Sequence, residues 1–236
     1  MADNDKGIII QNINMDFLTG DQNIRILHDI NISIHQGNLT MLVGPSGSGK
    51  TTLLSILAGI LTPTEGSVQI NGLNITALPD NEKVLYRRHH IGFIFQQFNL
   101  IPTLTVSENV AIPLIAKGIS LEKATKAGNL VLDKLNMAHN VNKFPRQLSG
   151  GEQQRVAIAR ALIHNPDVII CDEPTAALDA HTGQTVMTIL RENALHAERI
   201  VLVVTHDTRI YNFSDRIIHL NDGRIDKDET QAGATS

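Results

Sequence analysis

Residues 44–51, Gly44-Pro45-Ser46-Gly47-Ser48-Gly49-Lys50-Thr51, place glycine, lysine and threonine in the spacing G-x-x-x-x-G-K-[ST]. Glycines there let the backbone curl so that several N–H groups turn inward toward phosphate oxygens. The loop follows the apolar run Leu39–Val43 and opens Thr51–Leu61, whose leucines recur at helical spacing. A bound phosphate would therefore meet the positive end of a helix. Lys50 can reach the β- and γ-phosphates of a nucleotide, and Thr51 can offer its hydroxyl to Mg2+.

A second run, Val168–Cys171, is continuously apolar and ends in Asp172-Glu173-Pro174. In a doubly wound sheet, ligands gather at such carboxyl ends of strands. Asp172 can hold Mg2+ there, directly or through water. Glu173 is the next residue, so its side chain points another way, placed to orient or deprotonate an attacking water. Cys171, inside the run, reads as core packing. A third motif, Leu148-Ser149-Gly150-Gly151-Glu152-Gln153-Gln154-Arg155, again sets glycines at the start of a helix, now without a lysine. Ser149 with Glu152 three residues on is also a capping-box pattern, and both readings can hold together.

The elements that must carry these residues alternate. Gly7–Met15 reads as a strand. Arg25–His35 alternates as Ile26, His28, Ile30, Ile32 and Ile34, the period of a half-buried strand. Val68–Ile70 and Ile91–Gln96 read as further strands, and Val168–Cys171 and Ile200–Val204 as strands buried on both faces. From Val106 to Asn142 only helix formers stand out, including Leu121–Ala127 and Leu130–Leu135. Residues 97–165 are therefore expected to form a helical subdomain inserted into a single α/β domain spanning residues 1–236. A packing helix is expected over Thr182–Leu195, and residues 227–236 as a flexible polar tail.

The chain has 236 residues, 42% hydrophobic and 19% charged, which excludes disordered and fibrous classes. Twenty Lys and Arg against 24 Asp and Glu give a net charge of −4, a weak start for a nucleic-acid binder. Arg87, Arg88, His89 and His90 read as a solvated helix end. The single cysteine fits a reducing compartment. The acidic start reads as no secretory signal, and no run is long enough to span a bilayer, so a membrane role would come through a partner.

Taken together, the ordered motifs resemble those of ATP-binding-cassette (ABC) ATPases over about residues 7–226. Leu148–Arg155 matches their signature sequence, Gln96 the Q-loop glutamine, Asp179 the D-loop aspartate and His206 the switch histidine. Phe17 stands where the family often carries a tyrosine stacked on adenine, and Ala177 where many relatives have serine. The resemblance implies a P-loop NTPase core, a mostly parallel sheet with an antiparallel β subdomain, and ATP and Mg2+ as cofactors. It implies nucleotide contacts from Phe17, Gly44, Pro45, Ser46, Gly47, Ser48, Gly49, Lys50, Thr51, Thr52, Gln96 and His206. Across a head-to-tail pair of chains it adds Ser149, Gly150, Gly151, Glu152 and Asp179. Thr51, Gln96 and Asp172 would serve the metal, and Glu173, His206, Gln96 and Lys50 catalysis.

The segments Ile91–Leu100 and Leu104–Val110 are most similar to the MacB/LolD/DevA type. That resemblance implies an exporter motor at the cytoplasmic face of the inner membrane, bound to an FtsX/MacB-like permease and through it to a periplasmic adaptor, with no nucleic acid. Phe98, Leu100, Ile101 and Leu104 would line the permease groove. The alternative is an FtsE-like complex that transmits force without transport.

Overall fold

Runs of unbroken apolar sequence become strands with no wet face. The computed structural model describes residues 6–20, 22–195 and 199–231. In chain order, β1 (Gly7–Thr19), β2 (Gln22–His35) and β3 (Leu39–Val43) lead into α1 (Lys50–Leu57). Next come β4 (Glu65–Ile70), β5 (Leu73–Asn74), α2 (Asp80–His90) and β6 (Ile91–Ile94). Three helices follow, α3 (Val106–Ala116), α4 (Leu121–Lys134) and α5 (Gly150–Leu162). The chain closes with β7 (Val168–Asp172), α6 (Ala180–Leu195), β8 (Ile200–Thr205), β9 (Arg216–Asn221) and β10 (Arg224–Thr230).

Six strands form one sheet in the order β10-β9-β3-β8-β7-β6, parallel except for the edge strand β10. Alternate residues of its strands feed two cores. Leu42, Ile170, Leu202 and Ile218 face one that also holds Ile8 and Ile10 of β1, Leu27 of β2 and Leu53 of α1. Met41, Ile169, Val203 and Ile217 face the other, with Val110 of α3, Leu132 of α4, Ile158 of α5 and Met187 of α6. The remaining strands form an antiparallel sheet, β2-β1-β4-β5.

The expected period-2 pattern of β2 holds only in its second half, where Ile30, Ile32 and Ile34 are buried. Asp29 has φ 47°, and the β1–β2 register slips on either side of Met15. An extra residue on one strand flips the faces beyond it. Leu27 is therefore buried, while Ile26 and His28 are only half-buried.

Two further expectations shift. Leu121–Ala127 and Leu130–Leu135 fall in and beside one helix, α4. The polar tail begins later than residue 227, because Lys227–Thr230 pair with β9 inside β10. An edge strand has little surface to bury, so its polar sequence is compatible with pairing. Arg216 on β9 holds the Asp228 carboxylate through two nitrogens, at 2.7 and 2.5 Å. Residues 232–236 lie outside the described residues. Arg87–His90 form the last turn of α2, whose beginning no motif had marked.

Candidate functional site

The parallel register brings three strand ends level: Val43 lies beside Thr205, and Asp172 beside Val204. Over them opens a cavity of about 570 Å³, lined by Ile26, Pro45, Ser46, Gly47, Gly49, Lys50, Thr51, Thr52, Gln96, Glu173 and His206. Gly47 has φ 81°, and a Cβ there would point into open space. Gly49, φ 97°, is the N-cap of α1, and no side chain caps that helix end. The first-turn N–H groups of α1 thus have no side-chain partner, and no acidic residue occupies the turn. A Cβ at Gly49 would press on Leu27.

Lys50 is only 8% exposed. Its Nζ donates to the carbonyls of Gly44 at 2.9 Å and Pro45 at 2.7 Å, and to Ser48 Oγ at 3.4 Å. Gly44 and Ser48 hold this ammonium and do not line the cavity. Burial pulls the Lys50 pKa down, and the Glu173 and Asp172 carboxylates pull it back up. Burial, then the neighbouring Glu173 charge, pushes the Asp172 carboxyl above its ordinary range, against the pull of Lys50. A half-buried acid with its pKa raised is short of positive charge, which suits it to a divalent cation.

Glu173 sits at φ 49°, a left-handed conformation that costs about 1–3 kcal/mol for a residue with a side chain. Its N–H donates to the Val204 carbonyl at 2.9 Å, which fixes the turn. Its carboxylate accepts from Thr205 Oγ1 at 3.3 Å and lies 2.6 Å from His206 Nδ1. His206 stays 69% exposed at the side chain, Glu173 11%. The arrangement is a largely buried carboxylate facing the phosphate loop, tied to a solvent-facing imidazole. Cys171, one residue before Asp172, is fully buried and its thiol pKa is pushed up, as core packing requires.

An ABC transporter family model matches residues 27–176. The chain belongs to the ABC transporter family. The uncharacterized ABC transporter ATP-binding protein MJ0796 of Methanocaldococcus jannaschii is 43% identical over 230 residues, 96% of this chain and 98% of the relative. The macrolide export ATP-binding/permease protein MacB 2 of Yersinia pestis is 43% identical over 217 residues, 92% of this chain but 32% of that protein. A solved structure described as a dimeric post-hydrolysis state of the MJ0796 cassette bound to ADP and Pi superposes with a TM-score of 0.88 at 42% identity. It covers 96% of this chain and 99% of the solved one. The fold is that of an ABC ATPase cassette, with the antiparallel sheet and inserted helices that the motif order implied.

Within this cassette, several expected site residues lie away from the cavity. Ser149 caps α5: its Oγ accepts from Glu152 N at 3.3 Å, and Glu152 Oε2 accepts from Ser149 N at 2.7 Å. Gly150 lies against Ala177 and Leu178, and Gly151 against Thr182. Thr182 donates through N at 3.0 Å and Oγ1 at 2.7 Å to Asp179, which starts α6. Signature and D-loop residues thus form one cluster, apart from the cavity lining. Phe17 does not line the cavity either; it pairs with Ile24 across the hairpin and is 37% exposed. Ile26 lines it instead. Met15 pairs with Leu27 and Asp16 with Arg25, so Ile26 is the unpaired residue of a bulge. Bulges re-aim side chains beside sites.

Proposed function

We propose that this chain is the ATP-binding and ATP-hydrolysing motor subunit of an ABC exporter, and that two copies close head to tail on two ATP molecules to drive a separate FtsX/MacB-like permease. The observation that carries the reading is the convergence of Lys50, Gln96, Glu173 and His206 on one cavity built over an uncapped helix start.

Phosphoryl transfer to water needs little covalent help, so the work is positioning and charge. Ser46–Thr52 wrap the phosphate chain with backbone N–H groups. Lys50 exchanges its carbonyl partners for β- and γ-phosphate oxygens. Thr51, Asp172 and Gln96 would hold Mg2+, which would supply positive charge to offset that of the phosphates. Glu173 accepts a hydrogen bond from the attacking water and takes its proton. His206 orients Glu173 and donates toward the γ-phosphate. Ile26, with Phe17 at the hairpin, offers apolar surface to the base.

Ser149, Gly150, Gly151, Glu152 and Asp179 serve the partner copy's nucleotide in this reading. Their clustering away from their own chain's cavity supports that division, as does the dimeric state of the related MJ0796 cassette. The exporter assignment is supported by the MacB relative. Of the residues expected to line a permease groove, Leu100 packs into the helical core, whereas Ile101 is exposed. None of Phe98, Leu100, Ile101 and Leu104 lines the groove of about 320 Å³ that runs between Val84, Arg87 and Phe93 on one side and Pro113 and Arg160 on the other. We assign permease docking to that groove. Among the described residues no helix is long and apolar enough to cross a membrane, so the membrane-side position, and any periplasmic adaptor, come through the permease.

The test is purification of tagged Glu173→Gln from detergent-solubilised membranes with ATP and Mg2+. Co-purification of a permease with a large periplasmic domain is expected; a soluble dimer with no membrane partner would overturn the exporter reading.

A further inference from the structure

Between Gln96 and the helical subdomain the chain makes a turn that its residues do not favour. Phe98 has φ 40°, a left-handed conformation that an aromatic residue rarely adopts, and Asn99 follows at φ 48°, which asparagine tolerates. Such a conformation persists only when the surroundings hold it. Arg160, on α5, does the holding: its NH1 donates to the Asn99 carbonyl at 2.5 Å and its NH2 to the Phe98 carbonyl at 2.7 Å. Among the described residues no carboxylate pairs with Arg160. The guanidinium fork is spent on these two carbonyls, a bidentate geometry that lysine does not reproduce. Asn109 of α3 clamps the next stretch, donating to the Ile101, Leu104 and Thr105 carbonyls at 3.0 Å each. Residues 98–105 are thus fastened to the inserted helices, while Phe95 and Gln96 follow directly after strand β6 of the core, which ends at Ile94.

We propose that Arg160 is a positioning residue for the hydrolytic site, fixing the exit turn of the Gln96 loop to the helix that Ser149 begins. It touches no substrate. It sets where Gln96 lies relative to Glu173. Arg160 also lines the 320 Å³ groove, so an occupant of that groove meets the same guanidinium. The inference rests on the ATPase reading above.

The test is a double-mutant cycle on the full chain, comparing wild type, Arg160→Lys, Gln96→Ala and the pair. Phosphate release gives kcat and KM, and a fluorescent ATP analogue gives affinity. Arg160→Lys is expected to keep affinity within about twofold and to lower kcat about tenfold. The pair is expected to match Gln96→Ala alone, because a residue acting through Gln96 has nothing further to lose. Wild-type kcat in Arg160→Lys, or losses that multiply in the pair, would overturn the role. Arg160→Gln, with one donor nitrogen in place of three, carries the same cycle if the lysine variant does not fold. Turnover that Glu173→Gln abolishes and Arg160→Lys leaves untouched defeats the positioning role alone; absence of turnover in the wild type defeats both readings.

Discussion

Lys50 is a buried ammonium whose hydrogen bonds all go to neutral oxygens of the loop before it. Charge-assisted bonds to phosphate are stronger than those. Replacing it by alanine should weaken nucleotide binding roughly 10- to 100-fold, the worth of one or two such bonds. Equilibrium titration with a fluorescent ATP analogue checks this, and unchanged affinity would remove Lys50 from the site. Glu173 differs, since it faces the water rather than the phosphate chain in the proposed mechanism. Glu173→Gln should leave affinity within about twofold while turnover falls by roughly 10²–10⁴. Equal loss of both would mean that Glu173 binds rather than catalyses.

At the scale of elements, α3 and α5 begin with the same device. Thr105 with Glu108, and Ser149 with Glu152, form reciprocal capping boxes. In each, hydrogen bonds from the capping residue hold the glutamate pKa below its ordinary value, against burial. A depressed acid stabilises the fold above its unfolded pKa and stops doing so as pH falls through the folded one. Acid unfolding of the inserted helices should therefore set in below about pH 4.3, and Glu108→Gln should flatten that limb. Thr105→Ala should cost about 1 kcal/mol at neutral pH in denaturant melts.

Both boxes stand in the sequence as S/T-x-x-E, and the phosphate loop and the Asp172-Glu173 strand end are legible there for the same reason. Their chemistry lies within a few consecutive residues. Ile26 was not legible, because its position depends on a bulge, and a period-2 reading assumes none. Phe17 stands outside the cavity lining, paired with Ile24 near the end of the β1–β2 hairpin. Ile26→Ala should weaken ATP binding about threefold to fivefold through lost apolar contact. Phe17→Ala measured beside it shows which of the two touches the base.

For the whole molecule, the proposed site is shared between two copies of the chain. The cavity carries a lysine, a carboxylate and an imidazole on one side, while the Ser149 helix start stands elsewhere on the same chain. Two copies arranged head to tail would complete both sites at once, with the nucleotide as part of the interface. That arrangement was legible only through the family resemblance, because no spacing within one chain reports what a second chain supplies. Sedimentation of Glu173→Gln saturated with ATP and Mg2+ tests it most directly. The account predicts a species of twice the chain mass with ATP, a single chain with ADP, and a single chain with ATP once Ser149→Arg is added. A single-chain mass with ATP bound to Glu173→Gln would contradict the shared site.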